Sequence, residues 1–185
     1  MDSAFISAID GVASRHSLKV VDEQTSPPDF GFGASRCLLV AGLRLCALIV
    51  PNRHEIEVWL EDKSDPHWPN FSTETLSAAL GQPPAAIMFK QAPDEECLGK
   101  MARLLEDVAS NLLRDKSEFL DKLRAAQDEY SSREQEKSLR RRGDAAWISG
   151  NRHKAAEAYK QLAEPSLVEL KRIELASAPQ SSSSS

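Results

Sequence analysis

At 185 residues, with 41% hydrophobic and 28% charged residues, the chain has the composition of a globular protein with room for one domain and an appendage. No apolar run approaches the roughly 18–20 residues that a membrane helix needs, and the opening MDSAFISAID lacks the basic start of a secretory signal. The net charge of −5 sits upstream: residues 1–93 hold 11 acids against 7 bases, the remainder 17 against 16. Nucleic acid, which favours a basic face, is therefore not the expected partner, whereas a basic protein is compatible.

Asp2 or Ser3 can cap a first helix with Phe5, Ile6, Ile9, Val12 and Ala13 on one face. Leu18–Val21 reads as a short strand, and Asp22–Arg36, with Pro27, Pro28, Gly31 and Gly33, reads as a loop. Cys37–Val40, Leu43–Val50 and Glu55–Leu60 then form a meander with turns at Ala41-Gly42 and near Asn52-Arg53. Two-residue turns would pair Leu38 with Leu45, Ala47 with Val58 and Ile49 with Ile56, giving one aliphatic face for helices to cover. The same register puts Cys37, Leu39, Arg44, Cys46, Leu48, Glu55, Glu57, Trp59 and Glu61 on the other face, with Cys46 opposite Trp59 and Arg44 opposite Glu61.

Phe71 and Leu76 can staple a short helix capped at Ser72 or Thr73 and stopped at Gly81, and Ala86–Phe89 can add a strand. The strongest helical periodicity runs over Asp94–Leu113, where Cys97, Leu98, Met101, Leu104, Leu105, Val108, Leu112 and Leu113 share one side. The pattern changes phase near Asp115–Ser117. A further helix begins with Phe119, Leu120, Leu123 and Ala126 and continues through the polar SSREQEKSLRRR. The expected fold is α+β: a small antiparallel sheet of three to four strands, covered on one face by helices, followed by an all-helical extension. Residues 1–114 form the body, 115–178 the extension, and the serine-rich 179–185 a disordered tail.

The segment RRRGDAAWISGNRHKAAEAYKQL, within residues 139–162, resembles a tetratricopeptide hairpin. Gly143 matches the small residue at the helix crossing, Gly150 the turn, Ala155 the crossing alanine and Tyr159 the packing aromatic. Trp147 is one position off the family's aromatic, Arg142 replaces an apolar residue, Pro165 comes early, and no second copy follows. A generic αα-hairpin capped by a helix over Ser166–Ala176 is the alternative.

The sequence offers little chemistry. His16, His54, His67 and His153 are scattered, and Cys37, Cys46 and Cys97 form no CxxC, so no metal and no cofactor is expected. Cys37 and Cys46 face each other and could crosslink on oxidation, but two small half-buried thiols are the simpler reading. No phosphate loop, dinucleotide fingerprint, HExxH or GxSxG occurs, and Arg140-Arg141-Arg142 is flanked by acids, as a solvated helix face would be.

A non-catalytic protein-binding module is therefore the leading expectation. Its candidate partner-binding residues are Glu55, Glu57, Trp59 and Glu61 on the non-core sheet face, with Asp62, Asp65 and Trp68 in the adjoining loop. Tryptophan is a favoured interface anchor, and neighbouring acids would steer a basic protein partner. The layout of a small acidic α+β body with a helical tail resembles small bacterial immunity proteins, which neutralise toxins by masking them, and more distantly secretion chaperones. That resemblance implies cytoplasmic residence and a tight protein partner; the charge balance and the lack of a long apolar run leave neither nucleic acid nor membrane as an expected partner. An adaptor acting through the C-terminal hairpin is the alternative, and an enzyme whose site only the fold assembles is the third reading.

Overall fold

The computed structural model describes residues 2–25 and 33–177. The helix over residues 2–15, α1 (Asp2–Arg15), precedes β1 (Lys19–Thr25), β2 (Ala34–Val40), β3 (Leu43–Val50) and β4 (Glu55–Glu61). Then come α2 (Thr73–Ala79), β5 (Ile87–Met88), α3 (Glu95–Arg114), α4 (Lys116–Ile148), α5 (Arg152–Tyr159) and α6 (Leu167–Ser177). The chain divides into two compact units, to Gln127 and from Asp128.

The first unit is α+β. Its five-stranded sheet is antiparallel throughout, in the order β1-β2-β3-β4-β5. Each strand falls on a segment that reads as one in the sequence, but the expected sheet of three to four strands leaves out Leu18–Val21, which pairs with β2, and β1 and β2 run further, to Thr25 and from Ala34, into a stretch expected to be loop. The polar run Asp22–Thr25 hides the second half of β1 from a hydrophobic pattern, and a register irregularity between Val20 and Asp22 breaks its alternation. Residues 26–32 of that loop, and the serine tail, lie outside the described residues.

The meander has the expected register: Leu38 pairs with Leu45, Ala47 with Val58, Ile49 with Ile56, and Cys46 with Trp59. Its first turn explains why. Ala41 and Gly42 both take positive φ, 49° and 82°, the geometry of a two-residue turn that matches strand twist. The second connection is longer than expected, a 3-10 turn over Pro51–Arg53 closed by His54 at φ 55°. Val50 and Glu55 are its last pair, which leaves the register unchanged.

Leu38, Val40, Leu43, Leu45, Ala47, Ile49, Ile56, Val58 and Leu60 are all buried, each side chain stabilising the fold by roughly 1.5–3 kcal/mol for the larger ones. Helix α1 contributes Phe5, Ile9 and Val12 to the same core, and α3 contributes Met101, Leu104, Leu105, Val108 and Leu112. Asp94 caps α3 by accepting the Cys97 N–H at 2.8 Å. Leu113, assigned to the same face by periodicity, is instead exposed. The break expected near Asp115 is present, with Asp115 extended between α3 and α4. Phe119, Leu120 and Leu123 at the start of α4 join the core of the body, which is why the compact unit reaches Gln127.

The second unit is helical. From Gln127 to Ser138 no residue of α4 is buried, and intrahelical ion pairs such as Lys137–Glu134 and Arg133–Glu129 lace its surface. Beyond it, Leu139, Ala146, Ala155, Tyr159 and Leu162 form a separate small core. Gly143 is required there: a Cβ at that position would lie 2.4 Å from Cε1 of Tyr159. Two polar clusters complete the hairpin. Tyr159 Oη donates to Asp144 at 2.8 Å, and Arg172 donates to both. Glu169 accepts two bonds from Arg140 and one from the Ser166 N–H, while Ser166 Oγ accepts the Glu169 N–H, closing a capping box.

Candidate functional site

Strand β4 alternates Ile56, Val58 and Leu60 into the core with Glu55, Glu57, Trp59 and Glu61 on the opposite face, so the site is a direct product of strand periodicity. On its outer edge β4 is bordered in three ways. Glu55 and Ile56 pair with β5, and Leu60 bridges to Phe71. Between them Thr73 Oγ1 accepts the Val58 N–H at 2.8 Å and donates to the Val58 carbonyl at 3.1 Å. Thr73 thus satisfies the edge with a side chain, and the sheet is not extended there by another strand.

Where the first turn of α2 leaves β4 in this way, a cavity of about 480 Å³ opens. Arg53, Glu55, Glu57, Trp59, Asn70 and Glu74, with the hydroxyl residues Ser72 and Thr73, supply its polar and aromatic lining. Arg53 Nη1 lies 3.0 Å from Glu55 and 2.7 Å from Glu57, so one guanidinium holds two carboxylates. Glu57 is nevertheless pushed above the usual carboxylate range. Burial is the main cause, helped by the adjacent Glu55 and Glu74 and opposed by Arg53. The cavity therefore carries more carboxylate than its own arginine balances.

The seven candidate residues divide. Glu55, Glu57 and Trp59 line the cavity together. Glu61 stands beside it, accepting the Trp59 indole N–H at 3.1 Å and pairing with Arg44 at 3.0 Å, so it orients the indole. Asp62 and Asp65 build the loop instead. Asp62 accepts the Ser64 N–H and hydroxyl, which hold its carboxyl below the usual range, and Asp65 accepts the His67 N–H. Trp68 is half-buried, edge-on to Phe71 at 6.0 Å between ring centroids, and belongs to the core margin.

No family model, no curated protein and no solved structure matches this chain.

Sequence reasoning missed Arg53, Asn70 and Glu74. In the sequence Arg53 is legible only as part of a turn. Glu74 falls in the first turn of α2, where an acid is already explained by the helix dipole, and Asn70 carries no signal at all. The arrangement offers hydrogen-bond acceptors, a flat aromatic surface and excess negative charge. Among the described residues no group of three or more His, Cys, Asp or Glu is placed to hold a metal ion. No described helix is long and apolar enough to cross a membrane.

The open sheet face also corrects the reading of its cysteines. Cys37 and Cys46 are not separate thiols; they are joined in a cross-strand disulfide, and both are buried. Their Cα atoms stand 4.0 Å apart, the close approach of a pair that exchanges no backbone hydrogen bonds.

Proposed function

We propose that this protein is a non-catalytic binding module whose β4 cavity receives a basic segment of another protein. One observation carries the reading: a half-buried tryptophan and three glutamates, Glu55, Glu57 and Glu74, share one concave site with a single arginine. A lysine or arginine entering that site would relieve the crowding that raises Glu57, and its aliphatic stem would lie on the indole. A small acidic body that masks a basic surface is also what the likeness to immunity proteins implies. We therefore take a bacterial toxin as the partner class and the cytoplasm as the compartment.

The adaptor reading rests on a different feature. Ile148 and Leu167 in the helical unit are 84% and 85% exposed, an apolar offering of its own.

Photo-crosslinking separates the two. A benzophenone side chain placed at Asn70, on the cavity rim, should yield a protein adduct in the native host, and Glu57→Lys should abolish it. Adducts formed only from the same probe at Ile148 would reject the cavity and favour the hairpin.

A further inference from the structure

The Cys37–Cys46 bond lies on the face that carries the docking cavity, and its neighbours are the residues that fix Trp59. Cys46 pairs across the sheet with Trp59, and Arg44, two residues before it, pairs with Glu61. Glu61 gives one oxygen to the indole N–H, and its other oxygen, held by Arg44, lies 3.9 Å from Cys46 Sγ. In the disulfide that sulfur bears no hydrogen. As a thiol it would, at a distance where a weak S–H···O contact forms.

We propose that Cys37–Cys46 is a redox switch that sets the position of the Trp59 indole and its Glu61 partner. The physical cause is local. Bonded sulfurs stand about 2.05 Å apart, whereas unbonded heavy atoms settle at roughly 3.5–4.0 Å. Cys46 is fully buried, and protein interiors are close-packed, so on reduction the separation is taken up by its neighbours on that face.

The reaction is ordinary thiol–disulfide exchange with a cellular dithiol as reductant. One thiolate of the dithiol attacks Sγ of Cys37, the less buried of the two residues, and forms a mixed disulfide. Cys46 leaves as a thiolate and takes a proton, since a second anion beside Glu61 is unfavourable. The second thiolate of the dithiol then displaces Cys37, which is also protonated. Two electrons and two protons pass to the cysteine pair, and the dithiol becomes a disulfide.

The new Cys46 S–H then competes with Trp59 and Arg44 for Glu61. With the indole less firmly held, the docking surface is less ordered, and more of the binding free energy goes to ordering it. The oxidised form is thus the stronger binder, a consequence that rests on the docking reading above.

The test uses the full chain labelled with ¹⁵N, with Trp59→Phe to assign the Trp59 indole signal. Reduction by dithiothreitol, verified by alkylation of both cysteines, should shift that signal and leave the Trp147 indole unmoved. The Cys37→Ser, Cys46→Ser double variant should show the shifted position without reductant. An unmoved Trp59 signal in the reduced protein overturns the switch, as does a pair that dithiothreitol leaves oxidised in the native protein. Crosslinking from Asn70 is then compared between the two states. A lower yield after reduction supports the consequence for docking, and equal yields overturn it. A Trp59 shift with no adduct in either state upholds the switch and rejects the docking site.

Discussion

The two compact units reach a defined structure by different means. The body buries a continuous aliphatic layer between one sheet face and the helices α1 and α3, and its polar groups stay at the margins. The helical unit has a core of five buried apolar side chains, and two carboxylates, Asp144 and Glu169, tie its helices together. A large apolar core tolerates spare polar groups on its open face, and that is where the body carries its cavity. A small core has none to spare, so most of the polar side chains facing it are committed to structure.

Mutations should separate the units. Leu45→Ala, at a fully buried position of β3, should cost about 2–5 kcal/mol in urea unfolding. The signature of Trp147 should still be present at the denaturant concentration where the mutant body unfolds. Simultaneous loss of both would merge the two units into one cooperative block. Gly143→Ala should act the other way. The added methyl collides with Tyr159, and the helical unit should lose about 1–3 kcal/mol while the body melts as before.

The smallest effect is in pH dependence, where Glu57 of the body acts with a sign opposite to that of Asp144 and Glu169 in the helical unit. Asp144 is held below the ordinary carboxylate range by the Tyr159 hydroxyl, which with Arg172 outweighs the cost of burial. Glu169 is held low as well: burial opposes this, and the bonds from Ser166 and Arg140 outweigh it. Their contribution is complete above the pKa of the unfolded chain and is lost as pH falls through the lower folded values. Glu57 is raised, so the unfolded chain releases that proton first. Its group therefore costs stability as pH climbs from the ordinary carboxylate value through the folded one. Thermal melts between pH 3 and 7 should show the Trp147 transition falling at the acid end, with Asp144→Asn flattening that fall. Glu57→Gln should remove a penalty from the body near neutrality.

The sheet register was legible because Ala41-Gly42 fixes one turn and the aliphatic alternation admits only one inward face. The capping box at Ser166–Glu169 also stands in plain text as SLVE. The cavity was half legible. Glu55, Glu57 and Trp59 follow from strand alternation, whereas Glu74 and Asn70 reach it only because α2 returns alongside β4. Asp62 and Asp65 looked like site residues by charge alone; a short loop rich in Asx turns uses the same residues to fold itself. The disulfide was legible as a juxtaposition, but pairing by register does not by itself choose between thiol and bond.

The most direct test of the central claim is crosslinking from the benzophenone at Asn70 in a chain truncated after Ser138, which keeps the whole body and removes the hairpin. The same adduct should form at undiminished yield, still abolished by Glu57→Lys. Loss of the adduct from a truncated body shown to be folded would place the binding site in the hairpin and contradict it.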